Sequence, residues 1–372
     1  MSEKKPSEHA EIEEKQTRLS RAAQDAGLQG ILLATHHNIA WLTGGRSNRV
    51  DASREAGSAR LLVTADNRRY VLANAIEMPR LQAEALAGLG YEPIEYPWAD
   101  DQDPAHAVNV ARDLIGGGAL GSDWPLPGAT VMESTIARAR HLLTGAEVDR
   151  YRVLGREAGA ALAGVCRTLE PGDDERDIQR AVMDAAGSIY ARAIVALVGS
   201  DERLRRFRHP VPTATKWEHV VMLALCAERD GIIVSLSRIV ASRPPADLAE
   251  RTRATATVFG RILEATRPGA TGAALYATAR DAYAAVGFPG EELKHHQGGA
   301  IGYRAREWTA HPTSAEVVQE RQAFAWNPTI AGTKVEDTAL LVDGTLDMIT
   351  TSPDWPVIEL AGNVRASDVW LI

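Results

Sequence analysis

The feature that most constrains the fold is a pair of apolar runs joined by Asp230-Gly231. The first run reads VVMLALCAE and the second reads GIIVSLSRIV, and both contain β-branched residues that favour strands. An Asp-Gly pair between two such runs is typical of a tight turn, because both residues tolerate the left-handed backbone conformation. The sequence therefore predicts a β-hairpin over about residues 220–240.

The order of predicted elements differs between the first and second parts of the chain. Through about residue 140, apolar runs such as GILLAT and RYVLAN alternate with helical patterns that end at glycine. This alternation predicts a layered α/β domain over residues 1–140, after a polar start of about ten residues that we expect to be frayed. Over residues 141–372 the order is helix, helix, strands, and then the same again, which predicts an α+β domain with internal duplication.

Charge and hydropathy argue against several classes of partner. The net charge is −8 and the isoelectric point is about 5.7, so we expect no nucleic-acid partner. The start lacks the apolar run of a signal peptide, and no stretch reaches the length of about 18 apolar residues that a membrane span needs. We therefore expect a cytoplasmic protein without a membrane partner. Cys166 and Cys226 lie in apolar runs and are expected to be reduced core residues.

Several motifs of the second half occur in the order found in one family of proteins. They are the hairpin, the run GGAIGYRARE from Gly298, the pair Asn327-Pro328 and the run KVEDT that contains Glu336. In these motifs the chain resembles the pita-bread family, which includes creatinase, prolidase, aminopeptidase P and methionine aminopeptidase. The run GLQGILLATHHNIAWLTGG resembles the creatinase-type amino-terminal domain. The resemblance implies an α/β amino-terminal creatinase-like domain followed by an α+β pita-bread carboxy-terminal domain.

The resemblance also locates the metal ligands of the peptidases in this family. Those enzymes hold two divalent metals on two aspartates, one histidine and two glutamates, and the matching positions here are occupied by Ala224, Ser235, Gly299, Asn327 and Glu336. Divalent metals of this kind depend on anionic oxygen donors, and one carboxylate of four remains. We therefore predict a creatinase-like member that has lost the metal ligands, with no metal and no other cofactor.

A replacement metal site is the alternative to this prediction. His295, His296 and Cys226 carry suitable donor atoms, but no pair of ligands has the spacing of a known zinc site. The sequence therefore does not favour such a site.

The predicted catalytic residues are His209 and Glu336. Within the family, creatinase cleaves a C–N bond of a guanidino acid without metal, by means of a histidine and carboxylates, and His209 matches the position of that histidine. A neutral imidazole can take up and return a proton near neutral pH. Glu336 is predicted to clamp the substrate or to act as an acid/base partner. The alternatives are that His209 caps a loop and that Glu336 pairs with a nearby arginine.

The predicted substrate-binding residues begin with the run from Tyr303 to Trp308. Arg306 matches an arginine of creatinase, and a guanidinium suits a carboxylate, unless it only pairs with Glu307 or another acid. Tyr303 and Trp308 are predicted to line the substrate pocket, although a large aromatic beside a strand is often a core residue. We also expect Gly298, Gly299 and Gly302 to enlarge the pocket, because backbone can approach them closely.

Three further residues complete the predicted substrate site. Ser237 occupies the position of a second guanidine-binding glutamate of creatinase, so creatine itself is not the expected substrate. Arg46 and Arg49 follow the run LTGG, where creatinase sends an arginine into the active site of its neighbour. The resemblance therefore implies a homodimer in which this loop lies near the pocket of the other subunit. The alternative is that both arginines are solvated loop residues.

The resulting functional prediction is a metal-independent, creatinase-like hydrolase. It would cleave a C–N bond of the amide, urea or amidine type in a small carboxylate-bearing substrate, with a histidine as general acid/base. Two alternatives stay open: the same acid/base pair in a lyase or isomerase reaction, and a pita-bread protein that binds without catalysis. An Xaa-Pro metallopeptidase is the least favoured class, because its ligands are missing.

Overall fold

The computed structural model describes residues 8–352 and 354–372, so most of the polar start discussed above lies outside the described residues. The chain divides into two compact units, Met1–Ala146 and Glu147–Ile372. The boundary follows Ala146, whereas the sequence pattern placed it after residue 140. Among the described residues no helix is both long and apolar enough to cross a bilayer.

The amino-terminal unit is a mixed sheet with helices. Its helices are α1 Glu8–Asp25, α2 His36–Leu42, α3 Met78–Arg80, α4 His106–Leu114 and α5 Glu133–Arg140. Its strands are β1 Gly30–Thr35, β2 Ala56–Thr64, β3 Arg69–Asn74, β4 Glu92–Tyr96, β5 Leu120–Ser122 and β6 Thr130–Val131. The strand order is β4-β3-β2-β1-β5-β6, with β1 antiparallel to β2 and parallel to β5. The predicted buried strand GILLAT is β1, and all six of its residues are buried.

The carboxy-terminal unit contains the predicted two rounds of helices and strands. Its helices are α6 Gly145–Arg167, α7 Glu175–Ser188, α8 Asp201–Arg206, α9 Leu248–Ala265 and α10 Gly272–Ala285. Its first strands are β7 Arg192–Ser200, β8 Val220–Arg229, β9 Ile232–Ala241, β10 Gly298–Ile301, β11 Trp308–Thr309 and β12 Gln322–Trp326. The remaining strands are β13 Thr329–Ile330, β14 Thr333–Lys334, β15 Asp337–Val342, β16 Thr345–Met348, β17 Val357–Glu359, β18 Arg365–Ser367 and β19 Val369–Leu371. Its two larger sheets have the orders β19-β9-β8-β7 and β11-β10-β12-β15-β16.

Strands β8 and β9 form the predicted hairpin. They pair antiparallel, with Ala224 opposite Ser237. The turn between them is left-handed at both Asp230, where φ is 51°, and Gly231, where φ is 76°. These angles are what a two-residue hairpin turn requires, so the prediction from the Asp-Gly pair is confirmed.

Adjacent residues on two facing segments form two different polar contacts. Because successive side chains in extended chain point to opposite faces, Ser237 and Glu336 meet on one face and Arg238 and Asp337 meet on the other. The Ser237 hydroxyl donates to Glu336 over 2.6 Å, and Arg238 pairs with Asp337 at 3.0 Å. Thr350 supports the second pair, because its carbonyl accepts from Arg238 at 2.8 Å and its hydroxyl donates to Asp337 at 2.7 Å. One face thus carries a candidate site and the other a buried ion pair.

The glycines of β10 are tightly enclosed. A Cβ atom at Gly299 would lie 2.1 Å from the carbonyl oxygen of Trp308, and a Cβ atom at Gly298 would lie 2.1 Å from that of Ala325. The neighbouring backbone therefore approaches both glycines closely, as predicted. The predicted enlargement of the pocket at Gly299 is wrong, because the backbone of β11 fills the space.

Candidate active site

The loop that carries His209 is fixed at both ends by one buried carboxylate. Glu175, the first residue of α7, is fully buried. Its Oε1 accepts hydrogen bonds from the backbone and hydroxyl of Ser200, at 3.0 and 2.8 Å, and from Arg203 at 3.1 Å. Its Oε2 accepts from the backbone and hydroxyl of Thr213, at 3.0 and 3.1 Å. The segment between Ser200 and Thr213 therefore has both ends attached to the same side chain.

We expect Glu175→Ala to lower the free energy of unfolding by at least about 2 kcal/mol, because buried donors lose a charged acceptor. Urea denaturation followed by tryptophan fluorescence measures this change. Glu202→Ala removes an exposed acid from α8 and serves as the control, with an expected change below about 0.5 kcal/mol. A Glu175→Ala protein as stable as the parent would show that the loop does not depend on this carboxylate.

Three histidines from two separate segments meet at this loop. His209 Nε2 and His295 Nε2 are 2.9 Å apart, so one of them donates a hydrogen bond to the other. The rings of His295 and His296 stack with centroids 4.5 Å apart, and His209 and His296 have centroids 6.1 Å apart. His295 is buried, whereas His209 and His296 are exposed. An ion pair between Arg208 and Glu291 ties the two segments together.

A second group of polar side chains surrounds Glu336. Lys334 Nζ lies 2.7 Å from Glu336 Oε2, and Arg306 lies 3.4 Å from Glu336 Oε1. Ser237 donates to the same carboxylate, as described above. Glu336 and Lys334 are both more than nine-tenths buried. The group therefore contains one carboxylate and two cations, which leaves one positive charge in excess.

The charges around Glu336 hold it ionised. Burial opposes ionisation, but Lys334 and Arg306 outweigh that effect and lower the pKa of Glu336 to about 2. A carboxylate with this pKa has no proton to give near neutral pH. Two roles were predicted for Glu336, a clamp for the substrate and an acid/base partner. The low pKa favours the clamp, because it keeps Glu336 an anion.

The same charges keep the histidines neutral. Burial of part of each ring, followed by the positive charges of Lys334 and Arg306, lowers the pKa of His209 below its usual value, although Glu336 opposes the change. For the same reasons the pKa of His296 falls to about 4, and burial together with Lys334 lowers that of His295 to about 2. All three imidazoles therefore carry an unprotonated nitrogen at neutral pH. Because the charges of Lys334, Glu336 and Arg306 all act on the pKa of His209, we assign the two groups to one candidate site.

The structure brings together some of the predicted site residues. The site contains four of them: His209, Glu336, Arg306 and Ser237. The alternative that Glu336 pairs with an arginine also applies, because Arg306 lies beside its carboxylate. Arg306 likewise pairs with an acid, and that acid is Glu336 itself.

The other predicted residues have different surroundings or belong to the amino-terminal unit. The hydroxyl of Tyr303 donates to buried Glu147 at 2.7 Å, so its polar end is directed to α6. Trp308 lies in the apolar core, where its ring meets Phe324 edge-on with centroids 5.9 Å apart. Arg46 and Arg49 belong to the amino-terminal unit, in the loop after α2, and their role in a neighbouring subunit stays a prediction.

Lys334 is the charged residue of the site that the sequence reasoning missed. It lies two residues before Glu336 in extended chain, and residues at that spacing share a face. This spacing could have predicted that Lys334 lies beside Glu336. Cys226, which was weighed as a metal ligand, instead has its sulfur 3.1 Å from the hydroxyl of Ser235, and burial raises the pKa of its thiol.

Two cavities are lined by other residues. One, of about 820 Å³, is lined by Arg267, Leu346 and Arg365 among others, and one in the amino-terminal unit, of about 360 Å³, is lined by residues that include His36 and Arg60. Neither has a residue of the site in its lining. The candidate site is therefore the region of the three histidines and of Glu336 with its two cations.

Comparison with solved structures defines the fold class. The chain is similar to dipeptidase PepE from Mycobacterium ulcerans, with a TM-score of 0.78 and 20% identity over 98% of both chains. It is also similar to an Xaa-Pro dipeptidase from Bacillus anthracis, with a TM-score of 0.75 and 19% identity over 97% of this chain and 100% of the other. The prolidase from Pyrococcus horikoshii gives a TM-score of 0.76 and 18% identity over 92% of this chain and 99% of the other. The fold is therefore that of the pita-bread proteins, as predicted.

Sequence comparison then gives the family. The pattern of metallopeptidase family M24 matches residues 149–371, more than half of the chain. The chain therefore belongs to metallopeptidase family M24, a family of hydrolases. Among its relatives is a probable dipeptidase PepE of Mycobacterium tuberculosis, 23% identical over 370 residues that cover 90% of this chain and 93% of the relative.

The metal pair implied by this family does not fit the residues present. Ala224 offers no side-chain donor, and Gly299 has no room for a side chain. Ser235 and Asn327 offer neutral oxygen atoms only. Glu336, the remaining carboxylate, is already bound by two cations and a hydroxyl. Hard divalent ions need several anionic oxygen donors, which these positions do not supply.

Proposed function

We propose that this chain is a metal-independent hydrolase that cleaves a C–N bond in a small carboxylate-bearing substrate. The observation that carries the proposal is an exposed His209 whose pKa is lowered, so that it is neutral near pH 7. Burial and the cations Lys334 and Arg306 lower this pKa, and both cations pair with the ionised Glu336. Several relatives are named as dipeptidases, which cleave an amide C–N bond, and this supports an amide within the predicted group of amides, ureas and amidines.

The residues of the site supply the parts that such a hydrolysis needs. His209 takes a proton from water while the water oxygen forms a bond to the carbonyl carbon, and it then returns the proton to the nitrogen as the C–N bond breaks. Arg306 and Lys334 provide a positive charge in excess of Glu336, which favours a substrate with one carboxylate. Ser237 acts through Glu336, whose carboxylate it holds in place.

We expect EDTA to leave turnover undiminished. The test is a screen of amides, ureas and N-acyl amino acids with the full chain, in the presence and absence of EDTA, with metal content measured in parallel. Loss of turnover in EDTA and its recovery with a divalent metal would contradict the proposal and favour an Xaa-Pro metallopeptidase. Product analysis separates hydrolysis, which adds water, from the lyase and isomerase alternatives. Binding of these compounds without any product would favour the binding-protein alternative.

The same proposal includes a homodimer in which Arg46 and Arg49 approach the site of the other subunit. Mixing two inactive variants, one altered at His209 and one altered at Arg46, tests it directly. If the arginine acts across the subunits, the mixed dimer contains one complete site and regains part of the activity. No recovery in a mixture shown to exchange subunits would contradict this arrangement.

A further inference from the structure

We infer that His209, His295 and His296 form a binding site for one late first-row transition-metal ion such as Zn²⁺. One nitrogen of each ring lies within 4.8 Å of the others. A tetrahedral ion about 2.0–2.1 Å from each nitrogen requires nitrogen separations of roughly 3.3 Å. The contact between His209 and His295, at 2.9 Å, is already close to that value. His296 is exposed, so its ring can rotate to close the remaining gap.

The donor set determines which ions fit. Three neutral imidazoles suit Zn²⁺, Co²⁺, Ni²⁺ and Cu²⁺, whereas Mg²⁺ and Ca²⁺ require oxygen ligands. Three protein ligands leave the fourth tetrahedral position open to water or an anion. Because His209 and His296 are exposed, an ion can enter from solvent.

This site does not use the ligand positions of the family, and sequence spacing did not reveal it. His209 lies 86 residues before His295, and only the fold brings them together. Cys226, the third ligand considered from the sequence, does not belong to the group, and His209 takes its place. The inferred site therefore differs from the combination of His295, His296 and Cys226 that the sequence did not favour.

The surrounding charge limits how tightly the site binds. Lys334 and Arg306 carry two positive charges, and Glu336 compensates one of them. The remaining charge repels a cation, so we expect micromolar rather than nanomolar affinity. The same charge favours an anion at the open fourth position.

Metal binding and proton transfer compete for the same nitrogen of His209. An ion bound there occupies the lone pair that would accept a proton, so it inhibits the proposed reaction and EDTA relieves the inhibition. Metal binding itself is measured without substrate. Its success or failure is therefore independent of whether the chain is a hydrolase.

The test is a titration of the tag-free, chelator-treated full chain with Co²⁺, followed by visible absorption, and with Zn²⁺ by calorimetry. We expect one ion per chain, displacement of Co²⁺ by Zn²⁺, and no displacement by Mg²⁺. His296→Ala removes an exposed ligand and is expected to weaken binding at least about tenfold. His209→Ala should give the same loss.

His311→Ala is the matched control, because it removes an exposed histidine outside the cluster. It is expected to bind Co²⁺ as the parent does, and thermal unfolding should show all variants folded. Unchanged binding in His296→Ala, or the absence of saturable binding in the parent, would overturn the inference.

Discussion

Turnover is expected to fall at least about 100-fold in His209→Ala, the effect typical of losing a general acid/base group. Glu336 cannot replace it, because its pKa of about 2 leaves it without a proton near neutral pH. His295 is buried, and its pKa of about 2 makes it a poor base. The initial rate on a substrate found in the screen, with product quantified, measures the change.

Two controls test whether the loss of turnover in His209→Ala comes from lost proton transfer. His209 is exposed, so His209→Ala is expected to unfold at the same temperature as the parent. His311→Ala, which removes an exposed histidine elsewhere, should retain full turnover. Full turnover in His209→Ala would remove this residue from the mechanism. An equal loss in His311→Ala would show that the effect is not confined to the site.

The largest loss of stability is expected from Asp337→Ala, at about 3–5 kcal/mol in the free energy of unfolding. Arg238 and Asp337 are almost completely buried, and the substitution leaves the guanidinium without its anion. It also removes the acceptor used by Thr350 and Ser367. Urea denaturation monitored by circular dichroism and fluorescence measures the change.

Two further variants separate an unpaired charge from the value of the pair. Asp347→Ala breaks the exposed ion pair with Arg152 and should cost less than about 1 kcal/mol. The double variant Arg238→Met, Asp337→Leu lacks both charges, and we expect this protein to be more stable than the Asp337→Ala protein. A double variant less stable than the single one would show that the ion pair stabilises the fold by itself.

Much of the fold was predictable because its signals are local. Asp230-Gly231 specifies its own turn, and the two apolar runs around it have the composition of strands. The order of motifs then identified the pita-bread architecture. The boundary between the two units follows Ala146, and α6 runs across it from Gly145 without a break in composition that would mark it in the sequence.

The candidate site was less predictable because its contacts join distant segments. His209, Arg306 and Glu336 were found through the resemblance, but the sequence alone did not show that Arg306 pairs with Glu336. Glu175 gave no signal, since its role depends on burial against Ser200 and Thr213.

The two aromatic residues predicted to line the pocket show another limit of the sequence. Tyr303 and Trp308 lie in the run that contains Arg306, but proximity in sequence does not determine which way a side chain points. Their surroundings are instead set by packing, against Glu147 for Tyr303 and against Phe324 for Trp308.

The enclosed backbone at Gly299 limits which side chains this position can accept. The two-metal site of the family peptidases would need a histidine at this position and carboxylates at three others. A Cβ atom at position 299 would lie 2.1 Å from the carbonyl oxygen of Trp308, which is too close for any side chain. A side chain here requires β11 to move away from β10, because Gly299 pairs with Thr309 on β11. A histidine at this position is therefore a change of strand pairing as well as of side chain.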